Sequence, residues 1–522
     1  MFDRRRHRPR VLLAAATATA TATAAAAGTG TATGTATGAA PAHGPPRPAR
    51  PSLAPAPSAA PRPISWTALA LLTVGSVGYL GSASPLAVYG LASVFLYVLP
   101  ALLFLVPVSL VAAELASGWP GGVYNWVSQG VSAPMGLLAI WCQFAQTIFY
   151  YPALLASVAS TIGFVIDPSL ATNGVYNAVV IIVLFWGGVL LVSFGPTLVA
   201  RLGSGGTRIG TLIPAAILVG LGLAYLVQGH HSDAPMTAGH LLPAWTGLGS
   251  IVLLVNSFFT YAGVEVNAVH VNELKNPGRE YPRSIFVAMA LVLAVYIGPT
   301  LAISWVIPSH KISFTIGVMQ AFNALFDHFG LGFAVPLVAI ALTVGALAGM
   351  ISWLDGPSEG LLLIGRRQGF LPPYFQRVNR HGIEVRIIGA QGAVITLIAV
   401  LYAFVPSVSH AYWVFTALAT QVYLIMYVLM FLAAVRLRRS QPDQPRGYRA
   451  PALGLLCLLG TVSSAAALVI GFVPPSQFGH QNPLVYGIEI LAGILVIGIL
   501  PPFLMDRLRK PGWKAASDTS AS

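Results

Sequence analysis

Residues 259–265 read Phe259-Thr260-Tyr261-Ala262-Gly263-Val264-Glu265, well inside an apolar run from Leu248 to Val271. Glycine weakens a helix interior, and a carboxylate at that depth in hydrocarbon is costly unless it faces protein, water, a solute or a proton path. The run therefore reads as a membrane span broken near its middle. An earlier run, Ser65 to Ser84, has the same character: Thr73, Gly75, Ser76, Gly78 and Gly81 interrupt it, and Pro85 follows. One Gly-rich run would mean little, because glycine is common where membrane helices pack closely. The pairing carries the argument.

Working outward, about twelve apolar runs, each long enough to cross roughly 30 Å of hydrocarbon, are separated by short loops. Besides the two just named they are Val94 to Leu115, Met135 to Val165, Tyr176 to Phe194, Ile209 to Leu226, Ser284 to Ile307, Phe333 to Ile364, Ile387 to Val405, Tyr412 to Val435, Ala452 to Phe472 and Val485 to Leu504. The broken runs are the first and the sixth. A repeat of five spans, an odd number, enters the membrane from opposite sides in its two copies, which makes those two runs counterparts. Chains built this way bind a solute at the midplane, where the leading helix of each repeat opens. The expected fold is an all-α polytopic membrane protein: two inverted five-span repeats followed by two further spans.

Composition agrees. The chain is 56% hydrophobic and 8% charged, against about 25% charged in soluble domains, so lipid is its main solvent. The net charge of +13 does not point to nucleic acid, because the basic residues occupy loops between apolar runs. With a cytoplasmic amino terminus, alternate loops hold clusters such as Lys275, Arg279 and Arg283, or Arg436, Arg438, Arg439, Arg446 and Arg449, while the opposite loops hold Lys311 alone. That asymmetry predicts an even number of spans with both ends inside. Residues 1–62 form a low-complexity tail with few bulky apolar residues, expected to be disordered. The competing reading, a signal peptide around Val11 to Ala16, has a short and weak apolar core. Residues 63–507 are the transmembrane unit and 508–522 a short cytoplasmic tail. Cys142 and Cys457 lack the spacing of a metal site or redox pair and read as packing residues. Neither a cofactor nor a metal is called for.

Several motifs carry a family likeness. The second run ends in Ala112-Ala113-Glu114-Leu115, and the following loop reads Trp119-Pro120-Gly121-Gly122-Val123-Tyr124. Further on come Tyr261 to Glu265, His270-Val271-Asn272-Glu273, Asn276-Pro277-Gly278-Arg279, Tyr281-Pro282, Gly317 to Gln320, Ser352-Trp353 with Gly356-Pro357-Ser358, and Leu371-Pro372-Pro373 with Asn379. Together these resemble the amino acid, polyamine and organocation transporter superfamily, and its bacterial glutamate/γ-aminobutyrate antiporter branch in particular. The resemblance implies amino acid exchange by alternating access, often coupled to protons. It also implies that the α-amino and carboxylate groups of an amino acid or amine bind the opened backbone at Gly75, Ser76, Gly78 and Gly263. Phe259 and Trp353 stand where related exchangers carry gating aromatics, with Tyr261 adjacent. Glu265 either meets substrate or a proton, or fastens free backbone N–H groups at the break.

Three features depart from that branch. The tail after Leu504 is too short for the carboxyl-terminal plug that some acid-resistance antiporters carry. Asp355 and Glu359 stand where the antiporters have other residue types, and the Ala/Thr tail has no counterpart. A proton-coupled uptake permease for amino acids or polyamines is the alternative of the same class; a channel or receptor is the alternative of another. An enzyme would need paired carboxylates, a histidine cluster or a nucleophile with its base at one depth, and none is visible. Oligomeric state is not readable.

Overall fold

The computed structural model describes residues 64–77, 79–195, 198, 205, 206, 208–405, 407–479 and 482–514. The amino-terminal tail expected to be disordered, residues 1–62, lies outside these. The described residues form helices joined by turns and loops, without β-strand. In chain order the helices are α1 (Trp66–Val77), α2 (Leu80–Ala87), α3 (Ala92–Gly118), α4 (Gly122–Gly130), α5 (Ala133–Ile166), α6 (Gly174–Val192), α7 (Ile209–Val227) and α8 (Leu254–Tyr261). They continue as α9 (Pro277–Val306), α10 (Gly317–His328), α11 (Gly332–Gln368), α12 (Val385–Leu401), α13 (Val408–Ser440), α14 (Leu453–Ile470) and α15 (Pro483–Leu508).

Local chemistry sets the ends. Ser132 caps α5 by accepting the Met135 N–H, Asn173 caps α6 by accepting the Tyr176 N–H at 3.0 Å, and Ser407 caps α13 by accepting the His410 N–H at 3.2 Å. Each side-chain oxygen satisfies a donor that the first helical turn leaves free. Gly121 and Gly122, with φ of 112° and 73°, turn the chain between α3 and α4 in a conformation that side chains disfavour.

Nine of these helices are long and apolar enough to cross a membrane, and a tenth crossing is the bent pair α1 and α2, whose axes meet at 72°. Helix α12 is apolar but shorter, and the sixth run is split into α8 and the 3-10 helix Val264–Glu273. With these two the count is the twelve expected. Both breaks fall where the sequence put them: the first span stops at Val77, the sixth at Tyr261.

Long, largely buried α5 and α13 pack along each other as the centre of the bundle, while α6, α7, α14 and α15 present most of their apolar side chains outward. On α14, for example, Leu455, Leu458, Val462 and Val469 are exposed on one stripe. Outward apolar stripes are what lipid requires. At the basic end of the bundle the chain between α13 and α14 folds under α3. Glu114 on α3 is buried and takes Arg438 Nε at 2.8 Å, Arg438 Nη2, Arg446 Nη1 at 2.8 Å and the Ala450 N–H at 2.7 Å. The Arg446 guanidinium is itself buried, donates to the Pro442 carbonyl at 2.8 Å and sits over the Trp119 ring. Glu114, which stands near the end of the second apolar run, is therefore the hub of an ion-paired strap joining α3, α13 and α14.

Candidate substrate site between two broken helices

At the first break the helix ends and its backbone groups need partners. Tyr296 on α9 supplies both kinds: its hydroxyl donates to the Val77 carbonyl and accepts the Tyr79 N–H at 3.2 Å. The Tyr79 hydroxyl in turn donates to Ser157 Oγ on α5 at 2.7 Å, and Ser157 donates to the Thr315 carbonyl at 2.8 Å. Gly75, one turn before the break, has open space where a side chain would stand.

At the second break Ala262 is extended and Gly263 takes a φ of 98°, a left-handed conformation that costs other residues roughly 1–2 kcal/mol. A Cβ at Gly263 would also come within 2.5 Å of the Trp353 ring on α11, so the break requires glycine twice over. The Gly263 N–H is shared between the Tyr427 hydroxyl at 2.7 Å and Glu265 Oε2 at 3.1 Å. Glu265 is 1% exposed. Its Oε2 also accepts from Tyr427 at 2.6 Å, and its Oε1 accepts from Tyr423 at 2.6 Å and from Gln143 Nε2 at 3.2 Å. Four donors thus meet this carboxyl group, and none is basic. Its bond with the Gly263 N–H braces the freed backbone at the break.

Between the breaks lies a cavity of about 300 Å³, bounded by α1, α2, α5, α8, α9, α11 and α13. That is the lower end of the roughly 300–1,000 Å³ typical of small-molecule sites. Small residues on one face of α11, Gly345, Gly349, Ser352 and Gly356, leave the room. Of the residues singled out in the sequence, Gly75, Phe259 and Trp353 line this space. Gly263 lies under the Trp353 ring, and Glu265 stands behind Gln143 and Tyr423, which do line it. Tyr261 faces away and donates to the Tyr97 carbonyl at 2.9 Å. Only the helical position of Ser76 is described, and Gly78 lies outside the described residues.

Sequence reading passed over the α5 wall: Gln143, Gln146, Tyr150 and Leu154 all face the cavity. The signal was present, since polar side chains at 143, 146 and 150 share one face of a helix within an apolar run. Tyr296 and Tyr427 were missed for a different reason: nothing in a tyrosine of an apolar span marks it as a backbone brace.

Comparisons with known proteins fit this geometry. A family model described as amino acid permease matches residues 64–499. An uncharacterized transporter of Legionella pneumophila is 34% identical over 442 residues, covering 83% of this chain and 94% of that protein. A glutamate/γ-aminobutyrate antiporter of Lactococcus lactis is 30% identical over 430 residues, covering 80% of this chain and 85% of that protein. Among solved structures, MhsT in complex with L-phenylalanine superposes with a TM-score of 0.54 at 16% identity, over 77% of this chain and 97% of that one. At that identity the likeness speaks for the fold, two inverted five-span repeats plus two spans. The breaks, the cavity they share and the matched residues converge on one conclusion: the chain belongs to the amino acid permease family, whose members are transporters and not enzymes.

Proposed function

We propose that this chain is a secondary active amino acid antiporter of the glutamate/γ-aminobutyrate type, working by alternating access in the cell membrane with both termini cytoplasmic. The observation that carries the reading is that the leading helices of both repeats open onto one shared cavity. Opened helices leave N–H groups for a carboxylate and C=O groups for an ammonium. The α-carboxylate and α-amino groups of a substrate are assigned to the backbone around Gly75, Ser76, Gly78 and Gly263. Phe259 and Trp353 are assigned as the aromatic covers of the site. The Phe259 ring also meets that of Tyr150 at 5.1 Å, so its movement would be felt across the cavity. Glu265 acts on substrate through Gln143 and Tyr423, which it holds, and not by direct contact. The 30% identical antiporter supports exchange as the mode.

Counterflow in proteoliposomes tests this. Vesicles loaded with labelled glutamate should lose label several-fold faster when external glutamate or γ-aminobutyrate is added. Uptake driven by a pH gradient, with no acceleration by an external amino acid, would replace exchange with proton-coupled permeation.

A further inference from the structure

The arginines and lysines at the basic end of the bundle fall into two groups. Arg438 and Arg446 are neutralised by Glu114. A second group gathers where the turn after α11 and the segment after α15 lie together. There Phe370 is buried in a small apolar cluster that Met505 of α15 packs against, a Cβ at Gly369 would stand 2.7 Å from the Lys510 carbonyl oxygen, and Gln376 donates to the Trp513 carbonyl at 2.6 Å. These contacts bring Arg367, Arg377, Arg507, Arg509, Lys510 and Lys514 to one corner, all six exposed. Among the described residues the carboxylate paired with them is Asp506, 3.9 Å from Arg509, and an exposed pair of that kind contributes little. Like charges held this close repel one another, so the corner is built for a counter-charge from outside the chain. Its rim is apolar. Helix α15 keeps Val496, Ile499 and Phe503 exposed on the side that lipid covers, and the Arg507 guanidinium lies 4.4 Å from the centre of the Phe503 ring at the end of that stripe.

We propose that this corner binds an anionic phospholipid, its phosphodiester among Arg507, Arg509, Lys510 and Lys514 and its acyl chains along α15. The inference needs the membrane setting alone and does not rest on the exchange reaction. A guanidinium presents a planar fork of N–H donors to phosphate oxygens, and an ammonium adds a point charge. Basic clusters that adjoin a membrane span draw anionic headgroups in this way. A zwitterionic headgroup carries its own cation into a corner already crowded with them, so phosphatidylglycerol should be preferred to phosphatidylcholine. Free phosphate would meet the charge but leave the apolar stripe uncovered, whereas a lipid answers both features at once. Helix α11 carries Trp353 on the cavity wall and ends at this corner, so the bound lipid grips the end of a helix that shapes the cavity.

The experiment is a lipid titration of the purified full-length chain in detergent, read by native mass spectrometry, with phosphatidylglycerol, phosphatidylcholine and inorganic phosphate as probes. Wild-type protein should bind phosphatidylglycerol at least about tenfold more tightly than phosphatidylcholine, and equimolar phosphate should not displace it. Combining Arg507→Gln, Arg509→Gln and Lys510→Gln should cut that preference below about threefold. Combining Lys275→Gln, Arg279→Gln and Arg439→Gln removes the same charge from exposed positions elsewhere and should leave the preference within about twofold of wild type. If the first set does not fold, Arg367→Gln with Lys514→Gln, which spares the end of α15, decides the matter by lowering the preference at least about threefold. No preference in the wild type, a wild-type preference in the patch variants, or an equal loss in the control set would overturn the site. Displacement of phosphatidylglycerol by equimolar phosphate would reveal a site for the free anion and overturn it likewise.

Discussion

The two broken helices solve one problem with different means. At the first break a single tyrosine, Tyr296, serves both the Val77 carbonyl and the Tyr79 N–H. At the second, Tyr427 plays the matching part, accepting the Gly263 N–H and donating its proton to Glu265, but Glu265 takes the same N–H as well and is itself held by Tyr423 and Gln143. One break is neutral and singly braced among the described residues; the other is acidic and redundantly braced. The difference teaches that the halves of an inverted repeat share a geometry without sharing a stiffness. The carboxyl group at the second break gathers several hydrogen bonds where the first break relies on one tyrosine, so the second break should be the fixed wall of the site and the first the wall that rearranges.

The severest way to break the comparison is to remove the acidic brace. Glu265→Ala strands Tyr423, Tyr427 and Gln143, each losing an acceptor in a buried site, at a cost of roughly 1–3 kcal/mol apiece. We expect a loss of stability upward of about 3 kcal/mol, read as a lowered unfolding midpoint in detergent, together with loss of transport. Glu265→Gln, which keeps one acceptor oxygen, should fold and show impaired transport or an altered pH profile. An Ala variant as stable as the wild type would mean that the second break is not held from this carboxyl group.

Much of this arrangement was legible in the sequence, and the reasons that the rest was not are physical. Gly263 next to Glu265 in an apolar run marks a break because both residues are costly in an uninterrupted lipid-facing helix. Tyr261 was grouped with Phe259 by adjacency, yet helical residues two apart point about 200° apart, and Tyr261 ends on Tyr97 instead. The two tyrosine partners of Glu265 lie 158 and 162 residues further along the chain, and no local pattern announces such a contact. The same holds at the basic end. Counting Arg438 and Arg446 along loops reads which side of the membrane they occupy, not that both converge on Glu114.

A finer comparison sets the two tyrosines against each other. Tyr427→Phe leaves the Gly263 N–H with Glu265 and leaves Glu265 with three donors, so a loss of about 1 kcal/mol is expected. Tyr296→Phe removes the donor to Val77 and the acceptor for Tyr79 together, and about 1–2 kcal/mol should follow. Amide hydrogen exchange separates the cases: protection at Tyr79 should fall in the Tyr296 variant more than protection at Gly263 falls in the Tyr427 variant. The reverse order would show that redundancy at the second break is only apparent.

The smallest effect is expected at Gly75, and it sharpens the contrast most. Gly263 tolerates no side chain, because its φ is positive and Trp353 lies across it. Gly75 is in the regular part of α1 with nothing within 4 Å of the added carbon. Alanine is favoured over glycine in a helix by roughly 0.5–1 kcal/mol, so Gly75→Ala should raise the unfolding midpoint slightly. Its methyl group would enter the cavity, and transport should stay within about threefold of wild type if the first break has room to move during the cycle. Abolished transport in a well-folded Gly75→Ala protein would mean that α1 closes against another helix here as tightly as Trp353 closes on Gly263, and the proposed difference in stiffness between the two breaks would be lost.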